Sequence, residues 1–231
     1  MATISTSSTA RRTIRLGLRS AGLSLTADEF DAWPMHDCNR RFRYELIRGV
    51  LVVTPPPGNG EVDPNQYLGY LLIGHQEHHP EGGAIDLTLP EQTLPAGENR
   101  RRCDRAIWVG MSRVPNPEVD FPAIVVEFVS RSKRDFRRDY EEKRDEYRQS
   151  GAREYWIIDR FRRIMTVYRF ARGEGSAETV VTVVENGSYQ TDLLPGFVLT
   201  LDRLLSRSDR YVSSPRPKRK RQAKPPEGDP R

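Results

Sequence analysis

Two cysteines in 231 residues, Cys38 and Cys103, are too few for a disulfide framework or a four-cysteine zinc site, and each reads as a small buried apolar side chain. No apolar run approaches the roughly 20 residues that a membrane-spanning helix requires. The N-terminus also lacks the apolar stretch of a secretory signal. A soluble, cytoplasmic chain that does not enter a membrane is therefore expected. Histidine is scarce, and three of the 4 present, His75, His78 and His79, crowd one predicted helix end. With no cysteine or further histidine beside them in sequence, they read as a solvated helix terminus rather than a zinc site.

Acid is absent from residues 1–20, which carry Arg11, Arg12, Arg15 and Arg19, and it is sparse in residues 207–231, which hold 9 Lys+Arg against 3 Asp+Glu. The total of +5 then leaves −5 for residues 21–206. The basic character lies in the ends, and the body is acidic. The expected organisation is a disordered basic arm over 1–20, one folded domain over 21–206 and a disordered basic tail over 207–231 that includes Lys218-Arg219-Lys220-Arg221. A length of 231 residues and 36% hydrophobic content suit a single core.

Thr26-Ala27-Asp28-Glu29 has the form of a capping box at a helix start. Tyr44 to Val53 reads as two strands around a tight turn at Arg48-Gly49, stopped by Pro55-Pro56-Pro57. Leu68, Leu71, Leu72 and His75 predict a helix over 65–79. Ile85 to Leu89 and Ala106 to Val109 read as strands. Ala123 to Val129, a helix from about Arg134 to Gln149, and Glu154 to Asp159 form a strand–helix–strand unit with a right-handed crossover and parallel strands. Val167 to Phe170, Thr179 to Val184 and Ser188 to Leu193 predict a meander with a hairpin turn at Asn186-Gly187.

Glu127 lies within Ala123-Ile124-Val125-Val126-Glu127-Phe128-Val129, the most apolar run of the chain, where an uncompensated charge would be costly to bury. If the strands on either side of Pro115-Asn116 pair antiparallel, residues whose numbers sum to about 231 face each other, which places Asp104 across from Glu127. Two carboxylates that close need a cation between them, and oxygen ligands suit Mg²⁺. A structural ion pair with Lys or Arg neighbours is the alternative. Phe136, Tyr140, Lys143 and Tyr147 share one helical stripe, so a lysine faces the sheet unless it snorkels past the tyrosines to water. The strand runs on roughly 13 Å beyond Glu127. The helix returns roughly 12 Å to Lys143, which brings the lysine level with the acid. Carboxylates on a metal with a lysine beside them suit phosphodiester hydrolysis.

Asp104, the Val125-Val126-Glu127-Phe128-Val129-Ser130 strand, Lys143, Tyr147 and Gly151-Ala152-Arg153-Glu154-Tyr155-Trp156-Ile157-Ile158-Asp159 together resemble the Uma-two family of candidate restriction endonucleases, within the PD-(D/E)xK nuclease superfamily. The similarity runs from Leu25-Thr26-Ala27-Asp28-Glu29-Phe30 through Tyr44-Glu45-Leu46-Ile47-Arg48-Gly49 to Leu194-Pro195-Gly196-Phe197. It implies an α/β, restriction-endonuclease-like fold: a mixed central sheet flanked by helices, with an additional C-terminal β meander. It further implies Mg²⁺-dependent cleavage of DNA (Mn²⁺ as substitute), no small-molecule cofactor, and a homodimer. Asp104 and Glu127 would bind the metal, Glu45 would be a supporting acid, and Lys143 would supply the charge of the superfamily lysine, whose usual place is Val129 here. Cys103 stands where the family motif has proline, and Arg131 replaces another. The helix after the proline loop reads Asp63-Pro64-Asn65-Gln66 without the family's histidine. The proline-loop departure and the lysine missing at Val129 favour a second reading, a nuclease-fold module that binds or regulates DNA without turnover.

Overall fold

The computed structural model describes residues 16–33, 38–130, 138–171 and 178–211. Helix α1 (Ala27–Asp31) opens on the expected capping box: the Thr26 hydroxyl accepts from the Glu29 amide at 3.2 Å, and the Thr26 amide donates to the Glu29 carboxylate at 2.9 Å. Strands β1 (Arg43–Ile47) and β2 (Val50–Thr54) pair antiparallel with Ile47 opposite Val50. Arg48 and Gly49 both take left-handed backbone (φ 52° and 74°), as a two-residue turn matched to strand twist requires.

Helix α2 (Asn59–His78) starts six residues before the expected position, because Pro64 does not interrupt it. A proline inside a helix leaves the carbonyl four residues earlier without its donor. Here that carbonyl belongs to Gly60, and the Ser208 hydroxyl donates to it at 2.9 Å. At the other end of the helix His75 stacks on His79 (4.5 Å between ring centroids) and meets Phe197 edge-on, so two of the three clustered histidines serve packing.

Strands β3 (Ile85–Pro90), β4 (Thr93–Ala96), β5 (Asn99–Arg102), β6 (Arg105–Val109) and β7 (Ile124–Phe128) follow. A π-helical turn, Arg138–Glu142, runs into α3 (Lys143–Gln149) and then β8 (Glu154–Asp159), β9 (Ile164–Arg169) and β10 (Thr179–Val184). The central sheet has the order β10-β9-β8-β7-β6-β3, and β7 and β8 are its parallel pair, as the expected crossover demands. A second sheet, β2-β1-β5-β4, stands beside it. The mixed α/β architecture is the one expected. The start of the helix predicted from about Arg134, with Arg131 and Phe136, lies outside the described residues, as do residues 1–15 and Lys218 to Arg221.

Ile124, Val126 and Phe128 of β7 face a core shared with α2 and with α4 (Leu201–Asp209), including Leu68, Leu72, Leu204 and Leu205. Val125 and Val129 face the opposite core, with Tyr147 of α3 and Leu94 of β4. No helix among the described residues is long and apolar enough to cross a membrane.

Three expectations need correction. The third meander strand is only β11 (Ser188–Tyr189), and it pairs with β12 (Leu199–Thr200) instead of β10. The buried carboxylate of Glu154 holds this segment in place, accepting from the Tyr189 hydroxyl at 3.1 Å, the Thr191 hydroxyl at 2.5 Å and the Trp156 indole at 2.8 Å. The folded body also begins before residue 21: Leu16 is buried against Tyr44 and Leu51, and its carbonyl accepts from the Tyr44 hydroxyl at 3.0 Å. At the other end α4 runs past residue 206, and Arg207 pairs with Asp63 at 2.8 Å.

Candidate active site

Alternation along β7 sends Glu127 to the same face as Val125 and Val129, and it is 4% exposed. Strands β6 and β7 pair Arg105 with Val126, Ala106 with Val125 and Ile107 with Ile124, each a sum of 231. One step further lie Asp104 and Glu127. Asp104 has left the strand, and its Oδ2 accepts from the Phe128 amide at 2.7 Å, so the carboxylate caps the peptide that follows Glu127. The long loop between the strands does not shift the register, because the Asp120 carboxylate is gripped by Arg113 (2.6 and 2.7 Å) and by the Asn116 amide.

Lys143 is 2% exposed. Its Nζ donates to Glu127 Oε1 and to the Arg102 carbonyl, each at 2.8 Å, and lies 3.9 Å from Glu45 Oε1. It does not snorkel. Tyr147, one turn further along the helix, donates its hydroxyl to Glu127 Oε1 at 3.2 Å. Burial and the charge of Glu127 push that phenol well above its ordinary pKa, so it remains a donor. The Glu45 carboxylate accepts from the Arg102 amide at 3.0 Å. Thus β1, β7 and α3 bring Glu45, Glu127 and Lys143 together, and Asp104 joins them through the amide of Phe128, the residue after Glu127.

The sequence reading missed four participants. Arg43 donates from Nη2 to Asp104 Oδ1 at 2.9 Å and also to Glu91. It sits two residues before Glu45, hence on the same face of β1, and that spacing was a usable signal. Asn65 donates to the Asp104 carbonyl at 2.7 Å and accepts from Arg105 Nε at 2.8 Å. Arg105 is buried, its guanidinium donating to Asn65 and to the Thr88 hydroxyl, and desolvation lowers its pKa from the ordinary range.

Glu61, in the first turn of α2, is the fourth. Its pKa is pushed up to about 7, first by burial and then by the charge of Asp104. A carboxyl raised in the folded state binds a proton there that the unfolded chain has released. Its stabilising effect is whole below about pH 4.5 and is lost as pH rises toward 7. Glu61→Gln should remove that slope and stabilise the metal-free protein at pH 8 by about 1–2 kcal/mol after allowance for partial solvent screening; urea titrations at pH 5 and pH 8 would measure it, and an unchanged slope would contradict it.

Asp104 and Glu127 each meet a counter-charge within the chain, Arg43 on one and Lys143 on the other. The oxygen donors nevertheless suit a hard divalent cation. A carboxylate offers about four lone-pair positions, and Mg²⁺ is commonly held by only one or two carboxylates, with water and substrate phosphate completing its shell. Among the described residues no group of three or more His, Cys, Asp and Glu could hold a metal. Beside it opens a cleft of about 310 Å³ lined by Arg40, Phe42, Arg43, Pro56, Pro57 and Arg102 among others.

Among solved structures, the chain resembles a crystal structure titled as a putative nuclease belonging to DUF820 from Anabaena variabilis, with a TM-score of 0.61 and 16% identity over 80% of this chain and 99% of that one. At that identity the likeness concerns the fold. No curated protein matches the sequence. The family model that does match spans residues 27–202, from the capping box of α1 to the start of α4 and across every site residue named above, and its description is "Putative restriction endonuclease": the chain belongs to the Uma2 family.

Proposed function

We propose that the protein is a Mg²⁺-dependent endonuclease that hydrolyses DNA phosphodiester bonds at Asp104 and Glu127. The observation that carries this reading is Lys143, a buried ammonium delivered by the crossover helix onto Glu127, beside the strand end where Asp104 sits. Family membership supports the substrate class. A divalent cation bound by the two carboxylates, with Mn²⁺ as substitute, would polarise the phosphate and acidify a water.

The chain's own groups do the rest. Asp104 is oriented by the Phe128 amide, and Glu127 by Lys143 and Tyr147. Lys143 offers positive charge to the phosphorane-like oxygens as they gain charge, in a site whose low water content strengthens the interaction. Glu45 holds the Arg102 amide and so fixes the strand that positions the lysine's second acceptor. A homodimer acting on the two strands of a duplex, in the cytoplasm, completes the proposal.

Arg43 favours a second reading. Its guanidinium already neutralises Asp104, and a module whose metal site is closed in this way would bind or regulate DNA without cutting it. Incubating the protein with supercoiled, linear and single-stranded DNA over a range of Mg²⁺ and Mn²⁺ separates the two. Metal-dependent cleavage that Glu127→Gln abolishes, with DNA binding retained, is expected of the nuclease; binding without cleavage in either metal would overturn it.

A further inference from the structure

The cleft beside Asp104 holds an arrangement that the carboxylate site does not use. Glu91, in the turn between β3 and β4, has left-handed backbone (φ 57°), a conformation that a glutamate adopts only when its surroundings impose it. Its amide donates to the Asp104 carbonyl at 2.9 Å, which fixes the turn. Its carboxylate bridges two guanidinium groups: one oxygen takes Arg43 Nη2, and the other takes Arg102 Nε at 3.1 Å. Arg40, at the same cleft, is exposed and has no partner among the described residues. The buried Nε of Arg43 likewise has no acceptor there, so a strong donor remains unmatched.

Guanidinium forks converging on one anion match the geometry of phosphate, which offers more acceptor positions than a carboxylate. The lining also includes Phe42, Pro56 and Pro57, apolar surface that suits a sugar or base. We infer that this cleft is a binding subsite for a DNA phosphate adjoining the cleaved bond, and that Glu91 occupies the place of that phosphate until substrate displaces it. Arg43 touches both Asp104 and Glu91, so the cleft phosphate and the phosphate at the carboxylate pair are neighbours along one strand. The inference rests on the nuclease reading for its ligand, but it concerns binding and can fail separately.

The test is fluorescence anisotropy with the full-length protein and a labelled DNA duplex in EDTA, where cleavage does not intervene. Arg40→Ala and Arg102→Ala should each weaken binding and lower the salt slope by about one. Glu91→Gln, which removes the competing charge, should tighten binding about threefold to tenfold. Glu91→Gly, which also relieves the backbone, should tighten it as well. Tightening by both Glu91 variants supports the stand-in role; weakening by both, or arginine variants that bind with the wild-type slope, would overturn it. Cleavage assays keep the two ideas apart. Arginine variants with unaltered binding in a chain that still cuts DNA remove the subsite alone, whereas weakened binding in a chain that never cuts removes only the nuclease.

Discussion

Replacing Lys143 by methionine is expected to lower the unfolding free energy by about 3–5 kcal/mol, the cost of stranding a buried partner charge. Methionine keeps the aliphatic stem, so packing against the tyrosines changes little and the loss reports charge. Two acids are affected. Glu127, 4% exposed, loses a donor at 2.8 Å, and Glu45, equally buried, loses the ammonium 3.9 Å away. The Arg102 carbonyl loses a hydrogen bond as well.

A double-mutant cycle in urea makes the origin explicit. Glu127→Gln in the Lys143→Met background should restore part of the stability, giving a coupling of about 1–3 kcal/mol, because the amide needs no counter-charge. Saturating Mg²⁺ should stabilise Lys143→Met more than wild type, since the bound cation would take over compensation from the missing ammonium. A loss below about 1 kcal/mol in the single variant, the range of an exposed pair, would show that the ion pair is not the buried one described. Equal stabilisation of both proteins by Mg²⁺ would show that the cation binds away from Glu127.

The candidate site was legible where the sequence carried a period or a symmetry. Glu127 stood out because a strand buried on both faces has no polar positions to spare, and Lys143 because it interrupts an apolar helical stripe. Asp104 followed from hairpin symmetry, which holds across a long loop that Asp120 and Arg113 clamp. The fold was legible for the same reason around β7, α3 and β8. What remained hidden depends on partners distant in sequence. Helix α2 crosses Pro64 because Ser208, 148 residues from Gly60, supplies the missing donor. Strand β11 is placed by a buried glutamate on β8, which no local pattern records. Arg43 and Glu91 belong to the site through each other, and neither sits in an apolar context that would mark it.

The least legible element is β5, and it is the subject of the second large effect. Asn99-Arg100-Arg101-Arg102 has no hydrophobic alternation, yet it forms a strand between β1 and β4. Three successive arginines are tolerated because acids on other elements meet them: Arg100 grips Asp31, and Arg102 reaches Glu91. Arg101 has a side chain only 1% exposed, and it holds Glu146 through Nε at 2.5 Å and Nη2 at 2.8 Å, with Glu142 at 3.3 Å. This fork fastens the second sheet to α3, and hence Arg102, whose carbonyl receives Lys143, to the helix that carries Lys143. Arg101→Ala should cost about 2–4 kcal/mol, somewhat below the full figure for a buried pair because Glu146 keeps partial contact with water. Arg101→Lys should recover little of it, since a point charge cannot reproduce the two-nitrogen grip. The same variants should reduce DNA cleavage at temperatures where they remain folded, by letting β5 drift from Lys143. Chemical denaturation beside activity at low temperature checks both. If Arg101→Lys behaves as wild type, the fork is not what joins the sheet to the helix, and the loss in Arg101→Ala must come from the vacated volume.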